Sequence, residues 1–427
     1  MKKKLSKLKS GYLQSEFLRN AMTLISGTVI AQIISYSISP IISRIYSTEE
    51  MGDFGLYSRI IAFISAVAMA RLELSLPLPK NDSHSYLLFR FALRIALLTF
   101  GISFLIGIVY LLVNPFSISL LLFVLITLIS AVFIILINLG TNWAIRKKNF
   151  KVISRSRISN SLFSNGFRLV FGLIGFGSIG LILSSLVGYI ISSVGFLRMF
   201  LVDRTFFKNY KSKKKTYILV TEYKDLPLIN LPHVLIDLGR DLLIAFLIVY
   251  FFGKDMFGSY TYSVMILGLP IAIIGQAIGQ VFFNKCSEIV NEGKSVYPLL
   301  RRTLLILAFS SIIPFTVLFF FGSDLFAFIF GANWKMAGYM SEILAIGTFF
   351  NFLISPLSNL PIVLNKQKQY FLLGLTSTIS QIFIIGILPL IIGTSIDAFM
   401  TIMWAMSISQ AVILILTTFI FLKYAKD

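Results

Sequence analysis

The sequence predicts an all-α integral membrane protein of about twelve transmembrane helices, set out as two pseudo-symmetric six-helix lobes. Three observations predict it. Of the 427 residues 57% are hydrophobic and 13% charged, with a mean hydropathy of +0.87, whereas soluble domains carry about 25% charge. Apolar runs of about 20 residues, enough to cross a ~30 Å hydrocarbon core as helix, recur from end to end. Lys and Arg gather in alternate breaks between the runs, as the positive-inside rule requires of cytoplasmic loops.

The first six spans are predicted at 22–40, 55–76, 95–113, 118–138, 159–176 and 179–199, forming a lobe over residues 1–203. A basic cytoplasmic linker covers 204–230. The second lobe, 231–427, holds spans at 231–252, 260–283, 304–321, 337–360, 372–392 and 396–422. Lys2, Lys3, Lys4, Lys7 and Lys9 precede the first run, which is too long for a signal peptide and lacks a small-residue cleavage site, so a retained helix is expected. Both termini are then cytoplasmic, as are the clusters from Arg146 to Arg157 and Arg204 to Lys215. These clusters account for most of the net charge of +20. Lying between spans, they suit anionic lipid headgroups rather than nucleic acid. One cysteine and two histidines leave little material for disulfide, redox or metal chemistry, and no cofactor is expected.

The halves echo one another. Phe54-Gly55-Leu56-Tyr57 reappears as Phe257-Gly258-Ser259-Tyr260, and Arg146-Lys147-Lys148-Asn149-Phe150 as Lys366-Gln367-Lys368-Gln369-Tyr370. Such repeats are common in secondary transporters.

The stretch Ser39-Pro40-Ile41-Ile42-Ser43-Arg44-Ile45-Tyr46-Ser47-Thr48-Glu49-Glu50-Met51-Gly52-Asp53-Phe54-Gly55, followed by Arg71-Leu72-Glu73-Leu74-Ser75-Leu76-Pro77, resembles the N-terminal pattern of the Wzx-type O-antigen and polysaccharide flippases. These belong to the multidrug/oligosaccharidyl-lipid/polysaccharide exporter superfamily. Weaker echoes are Tyr223-Lys224-Asp225-Leu226-Pro227 and Gly331-Ala332-Asn333-Trp334 with Gly338. The resemblance implies a bacterial inner-membrane flippase of lipopolysaccharide O-antigen or related polysaccharide synthesis, not an enzyme. Its lobes would surround a central cavity and pass undecaprenyl-diphosphate-linked oligosaccharide outward by alternating access. It further implies coupling to H+ or Na+, as in an antiporter, with polysaccharide polymerase and chain-length machinery as partners.

Charges inside a membrane need a partner or a watery cavity. Arg168 in the fifth span is the leading phosphate ligand, because a guanidinium holds phosphate oxygens bidentately; a structural pair with an acid is the alternative. Arg240 in the seventh span would share the diphosphate. On that helix Asn230, His233, Asp237, Arg240 and Asp241 fall on one face, either a cavity wall or a self-satisfied cluster. On the second span Arg59, Ala62, Ala66, Ala70 and Glu73 align, as a groove wall or a close-packed face. Glu73, Asp237 and Asp241 are the ion-coupling candidates. Asn351, Ser355, Ser358 and Asn359 make a stripe on the tenth span suited to sugar hydroxyls or to helix association, and Gly275 and Gly279 with Gln276, Gln280 and Asn284 favour packing. A drug antiporter would favour an acidic site over Arg168 and Arg240. A polymerase or glycosyltransferase would need a catalytic loop outside the membrane, and every predicted outer loop is short.

Overall fold

The computed structural model describes residues 2–203, 212–364 and 366–426, without the side chains of 2–21 or of Gln276, Ala277, Gln280 and Asn284. Arg204, Lys208 and Lys211 of the basic segment, and the packing expected of Gln276, Gln280 and Asn284, therefore lie outside the described residues. All regular structure among the described residues is helical. The helices are α1 (Lys2–Ile45), α2 (Thr48–Val67), α3 (Asp82–Val113), α4 (Ile118–Arg146), α5 (Phe150–Leu173), α6 (Gly177–Val202), α7 (Lys213–Glu222), α8 (Leu231–Leu267), α9 (Gln276–Asn291), α10 (Tyr297–Phe330), α11 (Lys335–Ile354), α12 (Gln367–Ile392) and α13 (Ile396–Tyr424). Each of the twelve expected runs falls mainly on helix, the eighth passing from α8 through a π-helical turn at Ile271–Gly275 into α9, and among the described residues eight helical stretches are long and apolar enough to cross a membrane by length and composition alone.

Helix starts follow local chemistry. Ser47 and Glu50 form a reciprocal capping box on α2, the Ser47 amide donating to Glu50 Oε2 at 2.8 Å and the Glu50 amide to Ser47 Oγ at 3.2 Å. Ser117 and Ser395 cap α4 and α13 by accepting from Leu120 N and Ala398 N, each at 3.1 Å. Within the apolar helices many hydroxyls donate to carbonyls one turn back, as Thr303 does to Leu299 and Thr417 to Ile413, which satisfies those O–H groups without water. From Leu97 onward α3 leaves Leu97, Leu98, Leu105, Ile106 and Leu112 exposed, the dress of a lipid-facing helix.

Three of the differences from the expected runs bear on site candidates. The second ends at Val67, because Ala70 (φ 50°) and Arg71 (φ 63°) turn left-handed before a 3-10 turn at Leu72–Ser75. Ala70 and Glu73 thus leave the helical face that carries Arg59. The tenth run breaks at Ile354, where a 3-10 turn containing Pro356 intervenes, so Asn351 and Asn359 share no helical stripe. The fifth starts at Phe150, earlier than expected, which places Arg168 five residues before the helix end at Leu173 rather than near its middle.

The chain divides into two compact units. The first comprises Met1–Ile45 and Tyr57–Gly239. Here α5 packs between α1 and α6, with α4 on α6 and α3 on α4. Small residues bring the backbones close: a Cβ added to Gly27 would overlap Ser154, and one on Gly188 would overlap Ser164. Near the α4–α5 turn an apolar core gathers around fully buried Trp143, with Phe89 edge-on to it at 5.6 Å and to Phe200 at 5.2 Å.

The second unit comprises Tyr46–Leu56 and Arg240–Asp427. Its core joins Ile244, Ile248 and Phe257 of α8 to Met340 of α11 and Phe399 and Met403 of α13. Gly253 (φ 85°) separates two straight segments of α8, a backbone reversal that favours glycine. Just beyond it the two repeat motifs pack on each other. A Cβ on Gly258 would overlap the Thr48 carbonyl, one on Gly52 the Lys254 carbonyl, and Asp53 pairs with Lys254 at 2.8 Å. Thr48 Oγ1 donates to Asp255 Oδ1 across the same crossing. Trp334 is fully buried 4.2 Å from the ring of Tyr262.

Candidate functional site

In the first unit a seam of hydroxyl and amide groups runs between α1, α5 and α6. On α5 it uses Ser161, Ser164, Asn165 and Arg168, spaced three and four apart so that they face one way. Ser161 Oγ donates to the Ala31 carbonyl at 2.6 Å and lies 2.9 Å from Ser35 Oγ. Asn165 Nδ2 donates to the Ser161 carbonyl at 2.7 Å and to Ser35 Oγ at 3.1 Å. Its Oδ1 accepts from Arg168 Nη1 at 3.4 Å, and Arg168 Nη2 donates to Ser185 Oγ of α6 at 3.1 Å. Asn165 and Ser185 are 2% and 3% exposed, so these acceptors sit in a fixed interior. Both acceptors are neutral and orient the guanidinium. Beside the seam, Tyr57 Oη donates to Ser130 Oγ at 2.7 Å within the same unit.

Glu73 lies at the end of the strained turn that closes α2. It is 3% exposed, with Oε1 3.7 Å from Arg71 Nη1 and Oε2 buried without a hydrogen-bond partner. Arg71 Nε in turn donates to Asn230 Oδ1 at 2.9 Å, tying the turn to the residue that precedes α8. An acid held this way is costly as an anion. Protonation or a bound cation would relieve the cost.

The other candidates stand differently. Arg240 directs Nε and Nη2 to Asp241 Oδ1 at 3.1 and 3.0 Å. His233 Nδ1 lies 3.7 Å from Asp237 Oδ2. The Asp237 and Asp241 side chains are 54% and 49% exposed, in contrast to buried Glu73. Arg59 is half-buried on α2, Asn351 half-buried near the end of α11, and Asn359 exposed at the start of the helical turn Leu360–Val363. Gly279 packs on the backbone of Pro356, where a Cβ would come within 3.1 Å of its carbonyl oxygen. No group of three potential metal ligands occurs among the described residues. Ser35, Ser185 and the Tyr57–Ser130 pair were not among the sequence candidates; a polar residue in an otherwise apolar span was the only signal for them.

The fold is shared with transporters. It aligns with lipid II flippase MurJ in an inward closed conformation at TM-score 0.69 and 15% identity, over 93% of this chain and 90% of that one. It aligns with an inward-facing multidrug resistance MATE family transporter of the MOP superfamily at 0.62 and 13%, over 94% and 99%. The eukaryotic MATE transporter AtDTX14 aligns at 0.55 and 14%, over 96% and 98%. At these identities the likeness is one of fold. No curated protein matches the chain in sequence. The sequence profile of a polysaccharide biosynthesis protein family matches residues 41–339, from the end of α1 into α11. Most of the chain lies within that match, and the protein belongs to the polysaccharide biosynthesis protein family.

Proposed function

We propose that this protein is a flippase for undecaprenyl-diphosphate-linked oligosaccharide, moving it from the cytoplasmic to the periplasmic leaflet of a bacterial inner membrane by alternating access. The observation that carries the reading is Arg168, a permanent cation held by the neutral groups Asn165 and Ser185 in a hydroxyl-lined seam. Its planar guanidinium suits the oxygens of a diphosphate, and the neighbouring hydroxyls suit sugar. Family membership and the exporter fold support transport in polysaccharide synthesis. Glu73 is the proposed site of ion coupling, since it alone of the three acidic candidates is buried. A proton or Na+ exchanged there would change the charge of the turn that ends α2.

The test is reconstitution of the full chain in proteoliposomes with a fluorescent lipid-linked oligosaccharide, a fluorescent lipid II and a cationic drug. The expected result is crossing of the oligosaccharide lipid, accelerated by an imposed ion gradient. Transport of the drug alone would refute the reading, and transport of lipid II alone would move the substrate to a peptidoglycan precursor.

A further inference from the structure

A groove of about 620 Å³ lies in the first unit, between the first turns of α5 and the last turns of α6. It is distinct from the Arg168 seam, and its charges are arranged unequally. Lys147 is engaged by Asp82, Nζ to Oδ2 at 2.9 Å, and lies 5.3 Å over the Trp143 ring. Asp203 accepts from Trp143 Nε1 at 2.8 Å. Arg155 and Arg198 also line the groove, both exposed, and neither has a hydrogen-bond or ion-pair partner among the described residues. The groove thus presents two guanidinium groups with unused donors.

Its apolar lining is Ile191, Met199 and Val202 of α6 with Val152 of α5, beside the hydroxyls of Ser156, Ser159 and Ser192, and Gly195 adds no side chain to it. A Cβ at Gly195 would come within 3.3 Å of Val152 Cγ1. Next to the groove Leu201 and Val202 are 66% and 81% exposed, so the mouth borders lipid-facing surface. The basic α4–α5 turn puts this end at the cytoplasmic leaflet by the positive-inside rule. Two guanidiniums without a partner among the described residues, beside apolar lining at that level, match an amphipathic anion. Free phosphate would leave the apolar wall without a partner.

We propose that this groove binds the phosphate headgroup of a membrane lipid, with Arg155 and Arg198 on the phosphate oxygens and the apolar wall against the first carbons of the tail. Two lipids supply that chemistry: a resident anionic phospholipid and a polyprenyl phosphate. Binding is independent of whether the chain flips lipid-linked sugar, so failure of either proposal leaves the other standing.

The test is lipid retention by native mass spectrometry of the purified full chain, titrated with phosphatidylglycerol, undecaprenyl phosphate, dioleoylglycerol and inorganic phosphate. Removing both cations by Arg155→Gln with Arg198→Gln should weaken phosphate-lipid binding about 30-fold, taking roughly 1 kcal/mol for each basic residue near a lipid surface. Lys148→Gln, an exposed neighbour that does not line the groove, should leave it unchanged. Gly195→Leu keeps both charges but adds bulk to the lining opposite Val152, and should also lose the lipid. Preference for phosphatidylglycerol would identify a resident lipid, and preference for undecaprenyl phosphate a polyprenyl carrier; either supports the site. Unchanged binding in the double glutamine variant, equal retention of dioleoylglycerol, or binding of inorganic phosphate alone would overturn it. The arginines are exposed, so the double variant should fold; if it does not, Arg155→Lys with Arg198→Lys must retain binding while Gly195→Leu loses it.

Discussion

Arg168 in the first unit and Arg240 in the second are both half-buried arginines on helices expected to cross the membrane. Their surroundings separate them. Arg168 is oriented by an amide and a hydroxyl that are nearly inaccessible, whereas Arg240 folds back on the carboxylate of its own neighbour, Asp241. Among the acidic candidates Glu73 is buried in the first unit, whereas Asp237 of the same unit and Asp241 of the second are about half exposed. Apolar Met and Phe side chains fill the core of the second unit instead. Two halves with echoing motifs therefore bear different burdens: one places charge in its interior, the other relies on close packing.

The largest expected effect breaks the packing half. Gly258→Ala drives a methyl into the Thr48 carbonyl where the repeat motifs cross, and should destabilise the protein by about 3 kcal/mol, the upper range for overpacking. Gly166→Ala on α5 meets nothing within 4 Å and should instead stabilise by up to about 1 kcal/mol through helix propensity. Thermal melts of the two variants in detergent would decide, and similar melting points would erase the contrast.

A second experiment sharpens the division of acids. Glu73→Gln should abolish acceleration by an imposed gradient, while Asp241→Asn should retain it within about twofold, as expected of a surface ion pair. Proteoliposome transport with and without the gradient reads both. Retained acceleration in Glu73→Gln would remove Glu73 as the coupling site, and equal loss in the two variants would erase the division.

A smaller effect concerns Cys286, which is fully buried in the second unit with its thiol pushed up by burial to about 11. The thiolate is the reactive form, so maleimide labelling of the native protein near pH 7.5 should be slow and should rise with pH towards 11. That quiet background permits topology mapping with single cysteines. An impermeant maleimide should label Asp255→Cys and Lys335→Cys in intact cells, but Lys148→Cys and Lys214→Cys only after permeabilisation. The opposite pattern would reverse the proposed orientation.

Twelve apolar runs were legible in the sequence because lipid imposes a length and a composition on each span. The breaks at Ala70 and Arg71 were not, since hydrophobic patterning carries no information on a positive φ at residues other than glycine. Pro356 offered a signal for the end of α11, which the polar stripe from Asn351 to Asn359 obscured. The α5 side of the seam was readable from the spacing of Ser161, Ser164, Asn165 and Arg168. Ser35 and Ser185 were not, because a lone serine in an apolar helix is commonly satisfied by its own backbone, as Ser184 and Ser185 both are by the Leu181 carbonyl, at 2.6 and 3.3 Å, and the Arg168 contact of Ser185 comes on top of that. Only tertiary packing distinguishes the two cases.

The contrast between the arginines is tested most directly by flipping rates of Arg168→Ala, Arg168→Lys and Arg240→Ala in proteoliposomes loaded with lipid-linked oligosaccharide, each normalised to the folded protein present. Loss of charge-assisted hydrogen bonds to a diphosphate, worth about 1.5–3 kcal/mol, predicts a roughly 10- to 100-fold slower rate for Arg168→Ala, partial recovery with Lys, and a rate within about twofold of wild type for Arg240→Ala. Near-normal flipping by folded Arg168→Ala would contradict the assignment of the first-unit seam as the phosphate site.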